Sequence, residues 1–265
     1  GEDAVKTGAA FWPLRLAREL DDAILHLRAN ELEIGTLVLH SRGELGKVSA
    51  YDTLLLNQSD HWFIREVVLY WGRVLRRVDM TSRTIIALVE PGSCFAGFLS
   101  EVTLAADRSY MLIGEDDGGD DRIAHILFTE ADRFGYPMSN RLSRLETRFW
   151  GDPEGLGRAQ KSIGEELDAE KALEAGLVTD AMDDLDWDDE LRMILDERAA
   201  FSPDGLTGME ANLRFPGPET METKIFGRLT AWQNWVFQRP NASGETGALR
   251  RYGTGIRPEY DQRRV

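Results

Sequence analysis

Residues 84–107 read T-I-I-A-L-V-E-P-G-S-C-F-A-G-F-L-S-E-V-T-L-A-A-D. Thr84 to Val89 is a continuous apolar run, the composition of a strand covered on both faces. Phe98 to Ala106 reads as a helix. Between them Glu90-Pro91 breaks the strand, and Gly92, Ser93, Ala96 and Gly97 keep the turn small. Small residues between a buried strand and a helix let backbone N–H groups converge on an outside atom, and the helix start adds partial positive charge. Such a turn suits a phosphate or a developing oxyanion. A nucleotide-binding P-loop would end in Gly-Lys-Ser/Thr, whereas this turn runs Ala96-Gly97-Phe98, which excludes that mechanism. A close-packed turn with no ligand satisfies the same composition.

Upstream, Leu16, Leu20, Ile24 and Leu27 recur at helical steps within residues 14–30, with Arg18 and Asp22 as an outer pair. Ile34 to Leu39 is a second short apolar run and predicts another buried strand. A loop carrying Ser41 to Gly46 follows, then a long helical stretch in which Ile64, Val67, Trp71, Val74 and Val78 keep the period from Trp62 to Met80. Downstream, Ser109 to Ile113 predicts a third strand, leading into the acidic run Gly114 to Asp121. Helices alternating with buried strands predict an α/β domain with a mostly parallel sheet. Residues 205–240 should be helical, with Phe226, Trp232, Trp235 and Phe237 covering the core or reaching a partner. Residues 250–265 carry five arginines and read as an extended tail or docking arm.

The chain has 265 residues, is 42% hydrophobic with eleven Phe and seven Trp, and therefore has a real core. Its net charge of −15 argues against nucleic-acid binding, which needs excess Lys and Arg. Glu165 to Glu197 holds fourteen acidic residues against Lys171 and Arg192, the signature of a solvated helical face. A single cysteine, Cys94, rules out an internal disulfide and fits a reducing cytosol. The four histidines show no zinc spacing, so no metal is expected. No apolar run reaches the roughly 18 residues of a membrane span. The opening Gly-Glu-Asp-Ala-Val-Lys, with no initiating Met and no signal-peptide core, reads as a piece of a longer chain.

The segment Val89 to Asp107 resembles the signature of the crotonase (enoyl-CoA hydratase/isomerase) superfamily: an apolar strand, small residues, glycines, a Glu-Leu-Ala helix and an Asp. Leu16 to Leu39, Phe134-Gly135-Tyr136-Pro137 through Arg144-Leu145, and Asp168 to Val178 resemble further family segments in the same order, the last most specifically. The resemblance implies a crotonase-like ββα spiral over residues 1–200, without the usual first strands, and a C-terminal helical region with a tail over 201–265. Phe11-Trp12-Pro13-Leu14, the Trp-rich C-terminal part and the closing Gly-Ile-Arg-Pro-Glu-Tyr resemble the C-terminal half of one double-length member of the family. That member opens an oxidised aromatic ring held as a CoA thioester. The reaction it implies takes 2,3-epoxybenzoyl-CoA and two waters to 3,4-dehydroadipyl-CoA semialdehyde and formate in aerobic benzoate degradation. No metal or redox cofactor is expected, because the thioester is itself the electron sink. The expected partners are the acyl-CoA, the N-terminal crotonase-like half of the same polypeptide and a second copy of the chain.

In this family two backbone N–H groups polarise the thioester carbonyl and glutamates handle protons. The resemblance puts one donor at Gly97, although Ala96 and Phe98 replace its flanking glycines. It puts the other in Ser49-Ala50-Tyr51-Asp52, a poor match, with Ala50 and Tyr51 as substrate-binding residues. Glu101 stands for the helix glutamate, one residue further from Gly97 than usual, and Glu115 or Asp117 for the second. Cys94 is a further candidate for chemistry, though a lone Cys usually packs as a small hydrophobe. A first-turn glutamate is also what the helix dipole favours. Arg42, Lys47 and Arg83 are the expected contacts for the CoA phosphates. The degraded glycines point to a second function: a scaffold half that completes its partner's site without catalysing.

Overall fold

The computed structural model describes residues 1–114 and 123–264. In chain order the elements are α1 (Glu2–Thr7), α2 (Trp12–Asn30), β1 (Thr36–His40), α3 (Leu45–Asn57), α4 (Trp62–Asp79), β2 (Thr84–Val89), α5 (Ser100–Ala105) and β3 (Arg108–Ile113). There follow β4 (Ile126–Leu127), α6 (Ala131–Phe134), α7 (Arg144–Arg148), α8 (Pro153–Lys161), β5 (Glu166–Leu167), α9 (Ala169–Glu174) and β6 (Asp180–Asp183). The chain ends in α10 (Trp187–Ala200), α11 (Pro203–Leu213), a π-helical stretch Thr223–Leu229, α12 (Thr230–Phe237), α13 (Pro240–Ser243) and α14 (Ala248–Arg251).

Among the described residues the main sheet has four strands in the order β1-β2-β3-β6, and every neighbouring pair is parallel. The three strands expected from apolar runs are all present, but the first is not the buried strand its run suggests. β1 starts at Thr36, lies at the sheet edge and is only half-buried, with Ile34 exposed. The fourth, β6, has the composition Asp-Ala-Met-Asp of an exposed edge and gives no apolar signal. β2 is central, and all six of its residues are buried. On one face Ile86, Leu88, Tyr110 and Leu112 pack with Trp187 of α10. Toward the other face Val89, Met111 and Leu104 join Leu145, Ala159, Leu167 and Ala172, from α7 to α9. α4 buries Ile64, Val67, Trp71, Val74, Leu75 and Val78, the stripe its spacing predicts.

Three sequence expectations need correction. The buried face of α2 runs through Pro13, Ala17, Asp21 and Ile24, leaving Leu16 and Leu20 only partly buried. Asp21 tolerates that position because Arg77 Nε lies 2.7 Å from it and the Tyr70 hydroxyl donates to it at 3.1 Å. The stretch after Gly46 is two helices, α3 and α4, broken at residues 58–61. The region 205–240 is helical only in part: residues 214–220 are irregular, and the stretch from Thr223 to Phe237 buries no residue. The tail docks on its own chain, with the Arg264 N–H bonded to the Leu32 carbonyl.

Candidate active site

The β2–α5 turn has the backbone its sequence requires. Gly97 sits at φ +53°, a conformation costly for any other residue, and opens a 3₁₀ turn ahead of α5. Ala96 forms a parallel bridge with Leu127, and the Leu127 N–H donates to the Phe95 carbonyl. The Ser41 hydroxyl accepts the Cys94 N–H at 3.0 Å.

The space outside this helix start is filled by Asp52, carried in by α3. A side chain at position 97 would collide with the Asp52 carboxyl. The Phe98 N–H donates to Asp52 Oδ1 at 3.2 Å, and the Thr129 hydroxyl donates to Oδ2 at 2.6 Å. Burial pushes the Asp52 carboxyl above the usual range, opposed by the bonds from Thr129 and Phe98. The N–H next to Gly97 is thus spent on a carboxyl of the chain itself.

Glu101 lies within this interior at 1% exposure. Arg144 Nη1 donates to it at 2.6 Å and also to the Tyr136 carbonyl. The same guanidinium grips Asp79. Burial raises the Glu101 carboxyl to about 7, against the opposing charge of Arg144 and with a further push from Asp79. Asp132 is also fully buried, accepts from the Ser100 hydroxyl at 2.9 Å and the Thr129 N–H at 2.6 Å, and is raised by burial and by the Glu101 charge. Two buried carboxyls so placed cannot both ionise cheaply, and burial raises both. The Tyr136 hydroxyl, raised by burial and by the charges of Asp52, Glu101 and Asp132, has no hydrogen-bond partner among the described residues. This constellation can store a proton, but its members are sealed from solvent.

The other expected site residues do not converge here. Ala50 and Tyr51 lie inside α3, where each N–H is committed to the carbonyl four residues back, so neither can be the first donor. Tyr51 instead packs on Phe11 and Trp12, with ring centroids 5.9 and 5.1 Å apart. Lys47 is exposed and pairs with Glu44, and Arg42 is exposed on the loop before α3. Arg83 is buried away from any mouth and donates to the Ile34, Leu27 and Glu31 carbonyls. The Cys94 thiol is buried and pushed up, the opposite of an activated nucleophile. Glu115 and Asp117 lie outside the described residues.

Asp52, Thr129 and Asp132 carry the network, yet nothing in the sequence singles out their chemistry. In the sequence Asp52 stands only at the end of a poor donor motif and Arg144 only within a later family-like segment. A cleft of about 430 Å³ opens elsewhere, at the amino end of β3 between the last residues of α5, α7 and α11, and touches neither Gly97 nor Glu101.

No protein-family model matches the chain. The structure of enoyl-CoA hydratase from Geobacillus kaustophilus HTA426 superposes with a TM-score of 0.66 at 16% identity, over 94% of this chain and 87% of that one. An enoyl-CoA hydratase from Bacillus anthracis gives 0.63 at 16% identity, over 94% and 89%. The fold is therefore that of the crotonase, or enoyl-CoA hydratase/isomerase, proteins. In sequence the chain is a homologue of benzoyl-CoA-dihydrodiol lyase from Aromatoleum evansii, 49% identical over 259 residues that cover 97% of this chain and 46% of the lyase. It spans a little under half the length of this curated relative. Among the described residues no helix is long and apolar enough to cross a membrane.

Proposed function

We propose that this chain is the non-activating half of a crotonase-fold lyase that opens the ring of 2,3-epoxybenzoyl-CoA. Thioester polarisation and proton transfer take place in the other, N-terminal half, and this half braces it and completes the assembly. The observation that carries the reading is the Asp52 carboxylate on the Phe98 N–H, with its carbons against Gly97. A carboxylate there repels a developing oxyanion instead of stabilising it. The likeness to benzoyl-CoA-dihydrodiol lyase supports the substrate class. The thioester supplies the electron sink, so the reaction calls for no metal or redox cofactor. Exposed Phe226, Leu229 and Phe237 on the poorly buried C-terminal helices support contact with the other half or a second copy.

The raised Glu101 carboxyl favours a second reading, in which Asp52 swings aside and Glu101 serves as the acid or base of an active half. Turnover of the full-length enzyme separates the two. Under the scaffold reading, Asp52→Asn and Glu101→Gln leave ring-opening within about twofold of wild type. A loss of about 10²-fold from Glu101→Gln with the fold intact would establish the second reading instead.

A further inference from the structure

The cleft at the amino end of β3 is lined by five arginines and three carboxylates, an inversion of the charge of a −15 chain. The carboxylates are all in use. Asp79 is held by Arg144, Asp107 by Arg214, and Glu210 lies 3.6 Å from Arg198 and 3.7 Å from Arg214. Arg148 is different. Its Nε donates to the Gly176 carbonyl at 2.6 Å, and among the described residues it has no carboxylate partner. Burial alone acts on it, lowering its pKa from the usual arginine value. Beside it, the Thr147 hydroxyl is buried and has no hydrogen-bond partner among the described residues. Arg108, at the rim, is exposed and likewise lacks a carboxylate partner among the described residues.

Arg148 is half-buried with its outer nitrogens uncommitted, and the neighbouring Thr147 hydroxyl is buried without a partner among the described residues, which is costly unless something pairs with it. The rest of the wall is apolar, with Leu104, Met138, Met209, Leu213 and Pro216. The volume of about 430 Å³ falls within the range of small-molecule sites. We infer that this cleft is a binding site for a small organic carboxylate with an apolar body, its head on the free end of the Arg148 guanidinium and the Thr147 hydroxyl, and its tail along the methionines. A guanidinium fork matches a carboxylate in two-point geometry. The apolar wall suits a carboxylate with an apolar body better than inorganic phosphate. Neither Asp52 nor Glu101 lines the cleft, but Asp79 and Arg144 do, and Arg144 also holds Glu101, so the cleft shares one wall with the Glu101 network.

The test is calorimetric titration of the purified full-length protein with hexanoate and, separately, with inorganic phosphate. Hexanoate should bind saturably. Arg148→Met and Arg108→Met should each weaken it about tenfold or more, while circular dichroism and the melting midpoint report the fold. Arg108→Met serves where Arg148→Met fails to fold, because among the described residues Arg108 is exposed and makes no side-chain hydrogen bond or ion pair. Absence of saturable hexanoate binding overturns the proposal, as does binding that neither substitution changes. Binding of phosphate in preference to hexanoate overturns the assignment to an apolar carboxylate.

Discussion

Arg144 and Asp79 meet in a two-point ion pair, Nε to Oδ1 at 2.9 Å and Nη2 to Oδ2 at 2.6 Å, with both side chains almost wholly buried. The remaining end of the guanidinium reaches Glu101, so one cation ties α4, α5 and α7 together. Its removal leaves two buried carboxyls unpaired. Arg144→Met should destabilise the protein by about 3–5 kcal/mol in urea unfolding, and Arg144→Lys should recover only part of that, since a point charge cannot serve both partners.

Stability should fall as pH rises from about 4.5 to about 7. The folded state holds the Glu101 proton to about 7 because burial outweighs the attraction of Arg144, whereas the unfolded chain releases it at the usual carboxylate value. The stability linked to this group is therefore complete at the acid end and lost as pH passes the raised value. Glu101→Gln should flatten the urea midpoint across this window. An unchanged slope would place the proton elsewhere in the Glu101–Asp132 pair.

Gly97 should tolerate no side chain while Asp52 is in place. At φ +53° with Asp52 against it, Gly97→Ala should cost about 1–3 kcal/mol of stability. In a double-mutant cycle with Asp52→Ala the two changes should couple by about 1 kcal/mol or more, because they compete for one space. Additive costs would mean that backbone strain alone explains the glycine.

Arg214 should anchor the C-terminal helices. It donates to both Asp107 oxygens and to the Thr81 and Arg83 carbonyls, all on the sheet side of α11. Arg214→Met should expose residues 200–203 to limited proteolysis before the sheet unfolds. Intact resistance to protease would assign the docking of α11 to Leu206 and the Glu210–Thr84 bond instead.

The architecture is legible in the sequence wherever burial is repeated. Residues 84–89 and 109–113 are read as strands because a strand covered on both faces must be apolar at nearly every position, and α4 is read because its buried stripe recurs at helical spacing. The apolar run 34–39 also marks a strand, though an edge one that is only half-buried. Edge strand β6 and the face of α2 escape for the converse reason. An exposed edge needs no apolar run, and Asp21 can be buried when Arg77 reaches it. The crotonase likeness is also legible, since Gly97, Glu101 and Arg144 stand in quotable motifs. What Gly97 and Glu101 face is not. Asp52, 45 positions before Gly97, and Asp132, 31 positions after Glu101, become their neighbours only when α3 and α6 pack onto the β2–α5 turn. A carboxylate is equally hydrophilic in water or sealed under a helix start, so composition and spacing cannot separate a catalytic glutamate from one locked to an arginine. Long-range packing makes that distinction, by fixing which N–H and which cation each acid meets and whether water can follow.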